Sequence, residues 1–343
     1  MKAVRIHGHG GVEKLVYEEA PDPKLTQPTD AIVRLKAASL SRTDIHVRRG
    51  LIRTRIKFPH ILGGDGAGIV SEVGAQATNV QPGDAVCLYP VSGCGQCEFC
   101  TIDQEFMCVG LRVLGEQENG TYAEYVRLPA RNCFPFPAGL SLEEAAVLGS
   151  ACTTAWRMLI TNAELKPGEH VLIVGVGNGI AMAALQLAVG MGAHVIVTSS
   201  NDEQLDRAKN LGAEHGINDA NADFSREVRQ LTRKRGVDVA VDCIGGAGWV
   251  KSLASLAKGG RLVTCGATAG ANPQTDVRRI FWNNLKIFGS MLGSRAELKR
   301  ALQFMTGAKP IIDQVFPLKD AATAQQRLEQ GVQFGNIVLR MDD

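Results

Sequence analysis

HVLIVGVGNGIAMAALQLAVGMG, residues 170–192, passes from an apolar run through a glycine-rich turn into a stretch rich in alanine and leucine. The run His170 to Gly175 reads as a buried strand, and the alanine- and leucine-rich part as a helix. Gly175, Gly177, Gly179 and Ala181 therefore sit where a strand gives way to a helix, the context a dinucleotide-binding fingerprint requires. Small residues there let the backbone approach a pyrophosphate, and the helix N-terminus offers it free N–H groups and the positive end of a dipole. The spacing is not a strict G-x-G-x-x-G, because Ala181 takes the last small position and Asn178 lies within the loop.

The same alternation continues outward. AHVIVTSS (193–200) reads as the next strand, DEQLDRAKNLGA (202–213) as the next helix, and DVAVDCIGG (238–246) and GRLVTCGA (260–267) as further strands. Strands separated by helices imply an α/β unit with a parallel sheet and right-handed crossovers. A preference for NAD requires Asp or Glu at the end of the second strand to bind the ribose 2′-hydroxyl. Here Ser199, Ser200 and Asn201 follow that strand, so a 2′-phosphate is not repelled and NADP is favoured over NAD. Gln204 stands where a lysine would be convenient for that phosphate, and Arg207 is the nearest basic residue.

Before about residue 135 the texture is different. KAVRI (2–6), AIVRLKAASL (31–40), AGIVSEVG (67–74), DAVCLYP (84–90) and YAEYVRL (122–128) are short apolar runs between glycines and prolines, which read as strands of a β-rich domain. SLEEAAVLGSACTTAWRML (141–159) has helical spacing, with Ser141 and Glu144 as a capping box. The tail reads as two helices, 297–307 and 319–331, and a last strand, 336–341. The expected division is 1–135, 136–290 and 291–343, the last segment returning to the first domain.

Cys94, Cys97, Cys100 and Cys108 are separated by two, two and seven residues, in a lobe spanning about 90–112. Short Cys-x-x-Cys steps let one loop supply several thiolates to a tetrahedral zinc, which is then full and structural, with no open position for substrate. The remaining cysteines, Cys87, Cys133, Cys152, Cys243 and Cys265, lie in apolar segments, where a free thiol behaves as a small hydrophobe.

With 343 residues, 45% of them hydrophobic, the chain has material for two cores. Its 37 basic and 35 acidic residues leave a net charge of +2, which argues against nucleic acid or a membrane surface as the main partner. The one local basic run, Arg48, Arg49, Arg53, Arg55 and Lys57, reads as a solvated face or as a site near a phosphate. The N-terminal residues lack the apolar core of a signal peptide, so a cytoplasmic protein is expected.

Over essentially its whole length the chain resembles the medium-chain dehydrogenase/reductase superfamily. The four cysteines match that family's structural zinc loop. GGDGAGIVSEVG (63–74) matches a signature that normally begins Gly-His-Glu, SRTDIH (41–46) one that begins with a zinc-ligand cysteine, and SACTTAW (150–156) one that supplies a third ligand. The resemblance implies a Rossmann doubly wound sheet joined to a GroES-like β-rich catalytic domain; an exposed edge of the cofactor-domain sheet is a natural dimer surface, and a homodimer or homotetramer is the expected assembly. Here Ser41, Gly64 and Ser150 stand at the three catalytic ligand positions and Asp65 at the glutamate. Serine hydroxyls are poor zinc ligands and glycine has no side chain. The structural zinc is retained and the catalytic one lost, unless Cys152, His60 or His46 with Asp65 builds an offset site.

By matching positions, Ser41 and Thr43 would hydrogen-bond the substrate oxygen and His46 would relay a proton. Arg42 would lie near the pyrophosphate, Thr154 against the nicotinamide, and Gly266 and Gly289 beside its pocket. The plainer alternatives are that Ser41 caps a helix and His46 is a surface residue. The expected activity is reduction of an activated double bond in a small-molecule quinone, enone or enoyl substrate. Alcohol or aldehyde dehydrogenation, and cofactor binding without turnover, are the other readings.

Overall fold

The structure is a computed structural model describing residues 1–52, 55–220 and 223–342. The chain divides into two compact units, Met1–Ala151 together with Ser294 onward, and Cys152–Gly293. The first boundary falls later than 135 because the helix Leu142–Ala146 packs on the strands Asp30–Ser39, Asp65–Val73 and Ala85–Leu88 of the first unit, and the second falls at Gly293/Ser294, three residues beyond 290. Its N-terminus carries the expected capping box: the Glu144 N–H donates to Ser141 Oγ at 3.2 Å and the Ser141 N–H to Glu144 Oε2 at 2.8 Å.

The single helix expected over 141–159 is broken in three. Leu142–Ala146 and Leu148–Trp156 are followed by a wider π-helical turn, Arg157–Asn162. Tertiary contact overrides the period here: a Cβ on Gly149 would lie 2.4 Å from the Leu88 carbonyl oxygen and 2.6 Å from Asp65 Oδ1.

In the first unit the described residues form a seven-stranded sheet. Its order is Cys133–Phe134, Ala85–Leu88, Asp65–Val73, Asp30–Ser39, Asn336–Arg340 and Ile312–Pro317, with Tyr125–Pro129 also pairing with Asp30–Ser39. The C-terminal strand Asn336–Arg340 runs antiparallel to Asp30–Ser39, which explains why the chain from Ser294 belongs to this unit. Val33, Leu35, Val70, Val86, Tyr122, Ile337 and Leu339 fill the core between sheet and helices.

The second unit holds a six-stranded sheet among the described residues, every pairing parallel. Strand order is His215–Asn218, His194–Ser199, His170–Val174, Val237–Asp242, Leu256–Thr264, Lys286–Gly289. Counted along the chain this is 3-2-1-4-5-6, the doubly wound order that opens a crevice at the carboxyl ends of its central strands. Residues such as Leu172, Ile196, Ala240 and Leu262 are buried, as a sheet covered on both faces requires. No helix among the described residues is long and apolar enough to cross a membrane.

Candidate functional site

The four cysteines do converge. One sulfur from each of Cys94, Cys97, Cys100 and Cys108 lies within 4.8 Å of the others, and Cys97 and Cys108 are 3.7 Å apart. Zinc–sulfur bonds of about 2.3 Å in a tetrahedron require sulfurs ~3.8 Å apart, so the residues fit the ion. The N–H groups of Cys94 and Gly110 donate to Cys108 Sγ at 3.2 and 3.3 Å, orienting that ligand. The backbone N–H of Cys100 draws the Cys97 thiol down to about 6, while burial and the neighbouring sulfurs push Cys100 up to about 12. Four thiolates this close need a cation between them. Gly93 makes room, since a Cβ there would lie 2.6 Å from Cys100 Sγ. Buried Glu105 accepts the Arg295 N–H at 2.7 Å, fastening the lobe to the start of the helix Arg295–Phe304.

Around the positions where the family holds its catalytic metal, the first unit presents hydroxyls and carboxyls. Ser150 donates to Asp65 Oδ1 from both its backbone N–H and its hydroxyl, each at 2.8 Å. Burial pushes the Asp65 carboxyl up to about 6. Ser41 is the N-cap of the helix Arg42–Arg49, and its N–H donates to Asp44 Oδ2 at 2.7 Å, with its hydroxyl 3.3 Å from the same oxygen. Asp44 also accepts from the buried Tyr122 hydroxyl at 3.1 Å, and burial raises it to about 7. Ser41 therefore occupies the N-cap position, where the Asp44 carboxyl accepts its N–H and hydroxyl. Thr43 and Arg42 on that helix are exposed, and His46 is half-buried and lowered first by burial, then by the charges of Arg42 and Arg49.

The offset metal site gains no support from this arrangement. His60 is buried with Nε2 3.0 Å from the Gly115 carbonyl oxygen, and Asp65 is held by Ser150. Among the described residues, the four cysteines are the one group of three or more His, Cys, Asp or Glu with ligand atoms gathered together. The basic run is also dispersed: Arg48 is buried against Glu329, Arg49 pairs with Glu329 at 2.9 Å, Arg55 and Lys57 are exposed, and Arg53 lies outside the described residues.

In the second unit the glycine-rich turn has the backbone that its residues demand. Gly175 and Gly177 have φ of +73° and +134°, open to glycine and costly for other residues. Asn178 caps the helix Gly179–Gly190, accepting the Ala181 N–H at 3.0 Å, and its amide donates to the Gly175 carbonyl at 3.3 Å. Ser199 closes the second strand, buried, with its hydroxyl donating to Gln204 Oε1 at 2.7 Å; Ser200 is exposed. Thr154 is buried in this unit. Gly266 and Gly289 are brought together in the wall of a hollow of about 790 Å³, with Gly245, Thr264, Cys265 and Ser290.

One residue escaped the sequence reading. Asp242, fully buried at the end of its strand, accepts the N–H groups of Ile244 and Gly245 at 2.9 Å each and the Ser252 hydroxyl at 2.7 Å. It thereby shapes the loop at the rim of the hollow. The only signal in the sequence was a carboxylate ending an apolar strand just before two glycines.

Known proteins share this architecture throughout. The family profile described as zinc-binding dehydrogenase matches residues 179–307, and that described as alcohol dehydrogenase GroES-like domain matches 27–138. An alcohol dehydrogenase of Geobacillus stearothermophilus is 33% identical over 96% of this chain and 96% of its own. The crystal structure of an NAD-dependent alcohol dehydrogenase superposes with a TM-score of 0.96 at 38% identity, covering 100% of both chains. That of AibC gives 0.92 at 32%, covering 100% of this chain and 96% of its own. With the sheet order, the glycine turn and the cysteine lobe all in place, the chain belongs to the zinc-type alcohol dehydrogenase group of the medium-chain dehydrogenase/reductase superfamily, a family of NAD(P)-dependent oxidoreductases.

Proposed function

We propose that this protein moves hydride between a nicotinamide dinucleotide and an activated double bond, in a quinone, enone or enoyl thioester, without a catalytic metal. The observation that carries this reading is the set of residues at the ligand positions: Ser41, Gly64 and Ser150, with Ser150 hydrogen-bonded to Asp65. Oxidising a plain alcohol builds an alkoxide, for which a zinc ion supplies several kcal/mol of stabilisation. Adding hydride to the β-carbon of a conjugated carbonyl spreads the charge into an enolate, which hydrogen bonds can hold.

A bound nicotinamide supplies or takes up the hydride. The chain's own residues supply the rest. Asp65, raised to about 6, exchanges its proton near neutral pH, and the Ser150 hydroxyl is the group through which that proton reaches a substrate oxygen. Ser41, backed by Asp44, offers a second hydroxyl, Thr43 a third, and His46 stays neutral enough to accept a proton. Arg42, Gly175, Gly177, Gly179 and Ala181 serve the pyrophosphate, and Thr154, Gly266 and Gly289 the nicotinamide.

The names carried by the relatives favour a second reading, interconversion of alcohols and carbonyls, more directly than they favour the first. Metal content and a substrate panel separate the two. One zinc per chain, with NAD(P)H oxidised by enones or quinones and alcohols left untouched, supports the first. Two zinc ions with alcohol oxidation overturn it.

The dinucleotide we assign is NADP, because Ser199 replaces the carboxylate that would repel a 2′-phosphate; relatives named as NAD-dependent weigh the other way. Comparison of kcat/KM with NADPH and NADH decides between them. The assembly we assign is a dimer or tetramer of this chain. Among the described residues the edge strand Lys286–Gly289 is paired on one side only, and Val277, Phe281 and Trp282, just before it in the chain, are 64%, 61% and 77% exposed. Trp282→Asp should shift the sedimenting species toward monomer; an unchanged or already monomeric protein rejects the assignment.

A further inference from the structure

Two sulfurs meet just beyond the strands that carry the hollow. Asp242 and Thr264 are paired at the ends of neighbouring parallel strands, so residues 243 and 265 leave them side by side. Cys243 Sγ lies 3.1 Å from Cys265 Sγ, about 1 Å beyond the ~2.05 Å of a disulfide bond. Adjacent strands run ~4.8 Å apart, within the Cα separations that disulfides span. Forming the bond would take a small movement of side chains and little of the backbone.

The approach is enforced from both sides. Asp242 Oδ1 grips the N–H groups of Ile244 and Gly245, fixing the turn that holds Cys243. On the other strand Gly266 follows Cys265, and a Cβ there would lie 2.7 Å from the Cys243 carbonyl oxygen. Only glycine lets the two chains run this close. The partners differ in access: Cys243 is 7% exposed, whereas Cys265 is half-buried and lines the hollow with Gly266 and Gly289. The contact with Cys265, together with burial and the nearby Asp242 charge, pushes the Cys243 thiol well above its ordinary range.

We propose that Cys243 and Cys265 form a peroxide-sensitive dithiol in the wall of the dinucleotide hollow, open to oxidation when the hollow is empty and shielded when it is filled. The sulfur of Cys265, the more accessible of the two, attacks a hydroperoxide, forming an S–O bond as the O–O bond breaks; the thiol proton passes to the departing oxygen, leaving a sulfenic acid and releasing an alcohol, or water from hydrogen peroxide. The Cys243 thiol then attacks the sulfenic sulfur, forming the disulfide and expelling water. Two thiols lose two electrons and two protons, and one hydroperoxide is reduced. A dithiol reductant restores the pair. The inference uses the family's dinucleotide dependence and is independent of which substrate the enzyme reduces.

The test treats the full-length, zinc-loaded protein with hydrogen peroxide and follows peptide mass, with zinc release read by a chromogenic chelator. The expected product is a cross-linked peptide pair containing Cys243 and Cys265, lighter by two hydrogens and absent from Cys265→Ser, while zinc stays bound. Dinucleotide at ~10 Kd should slow the cross-link about tenfold, as mutual exclusion demands. Oxidation confined to the zinc-lobe cysteines, or Cys265 advancing to sulfinic acid without a cross-link, overturns the dithiol. A cross-link that forms equally fast with dinucleotide bound overturns the shielding.

Discussion

The hydroxyl and the backbone N–H of Ser150 converge on a single oxygen of Asp65, each at 2.8 Å, at positions where the family places a metal ligand and its neighbouring glutamate. Gly149 permits this, because any side chain there would collide with Asp65 and the Leu88 carbonyl. Asp65 is thereby held as a buried, hydrogen-bonded carboxyl, raised by its burial to about 6.

Replacing Asp65 by asparagine keeps an oxygen for Ser150 to donate to and removes the titration. Burial raises the folded-state value of Asp65 above its usual one, to about 6. Its contribution to stability is therefore complete below about pH 4 and lost as pH rises through 6. Relative to the parent, Asp65→Asn should gain stability across that window, by ~2–3 kcal/mol at pH 8. Urea unfolding at pH 4 and pH 8 measures it. The same variant should abolish the kcat inflection near pH 6 and lower kcat by about 10²-fold or more; an unchanged profile removes Asp65 from the chemistry.

Removing the zinc-lobe ligand Cys108 should empty the metal from the protein. In Cys108→Ser, zinc determined by emission spectrometry should fall from one per chain to none. The lobe should become protease-sensitive near residues 94–108, and unfolding should be easier by about 4 kcal/mol or more. Zinc persisting at one equivalent in this variant would place the ion elsewhere.

Gly177→Ala forces a side chain onto a backbone with φ of +134°, with its Cβ 3.0 Å from the Gln204 amide. Such strain costs of order 1–3 kcal/mol. With the turn assigned to the pyrophosphate as proposed above, the dinucleotide KM should rise about tenfold or more while zinc content stays unchanged. Steady-state kinetics with varied NADPH and NADH reads this directly, and an unaltered KM would detach the turn from cofactor binding.

Ser199→Asp restores the carboxylate that contacts a ribose 2′-hydroxyl and repels a 2′-phosphate. The ratio of kcat/KM for NADPH over NADH should drop by about 10²-fold. The substitution also breaks the hydroxyl donation to Gln204, so a lowered Tm is expected with it. A ratio that does not move means that specificity is read elsewhere along the adenosine.

What the sequence determined by itself is whatever short stretches of chain encode. Strand-turn-helix alternation after residue 170, the small residues of the turn and the cysteine spacing all lie within local windows, where backbone period and steric freedom leave few alternatives. The substitutions at 41, 64 and 150 were equally legible, since they are read position by position. What only the tertiary structure decided is which distant groups meet. Asp65 and Ser150 are 85 positions apart, Tyr122 and Asp44 78, and Cys243 and Cys265 22. Ser199 turned out to be engaged by Gln204, and the 141–159 helix was broken by the packing of Gly149 on a strand. Sequence fixes each residue's chemistry and local geometry, but burial, hydrogen-bond partners and shifted acidity arise from contacts made when remote segments pack together.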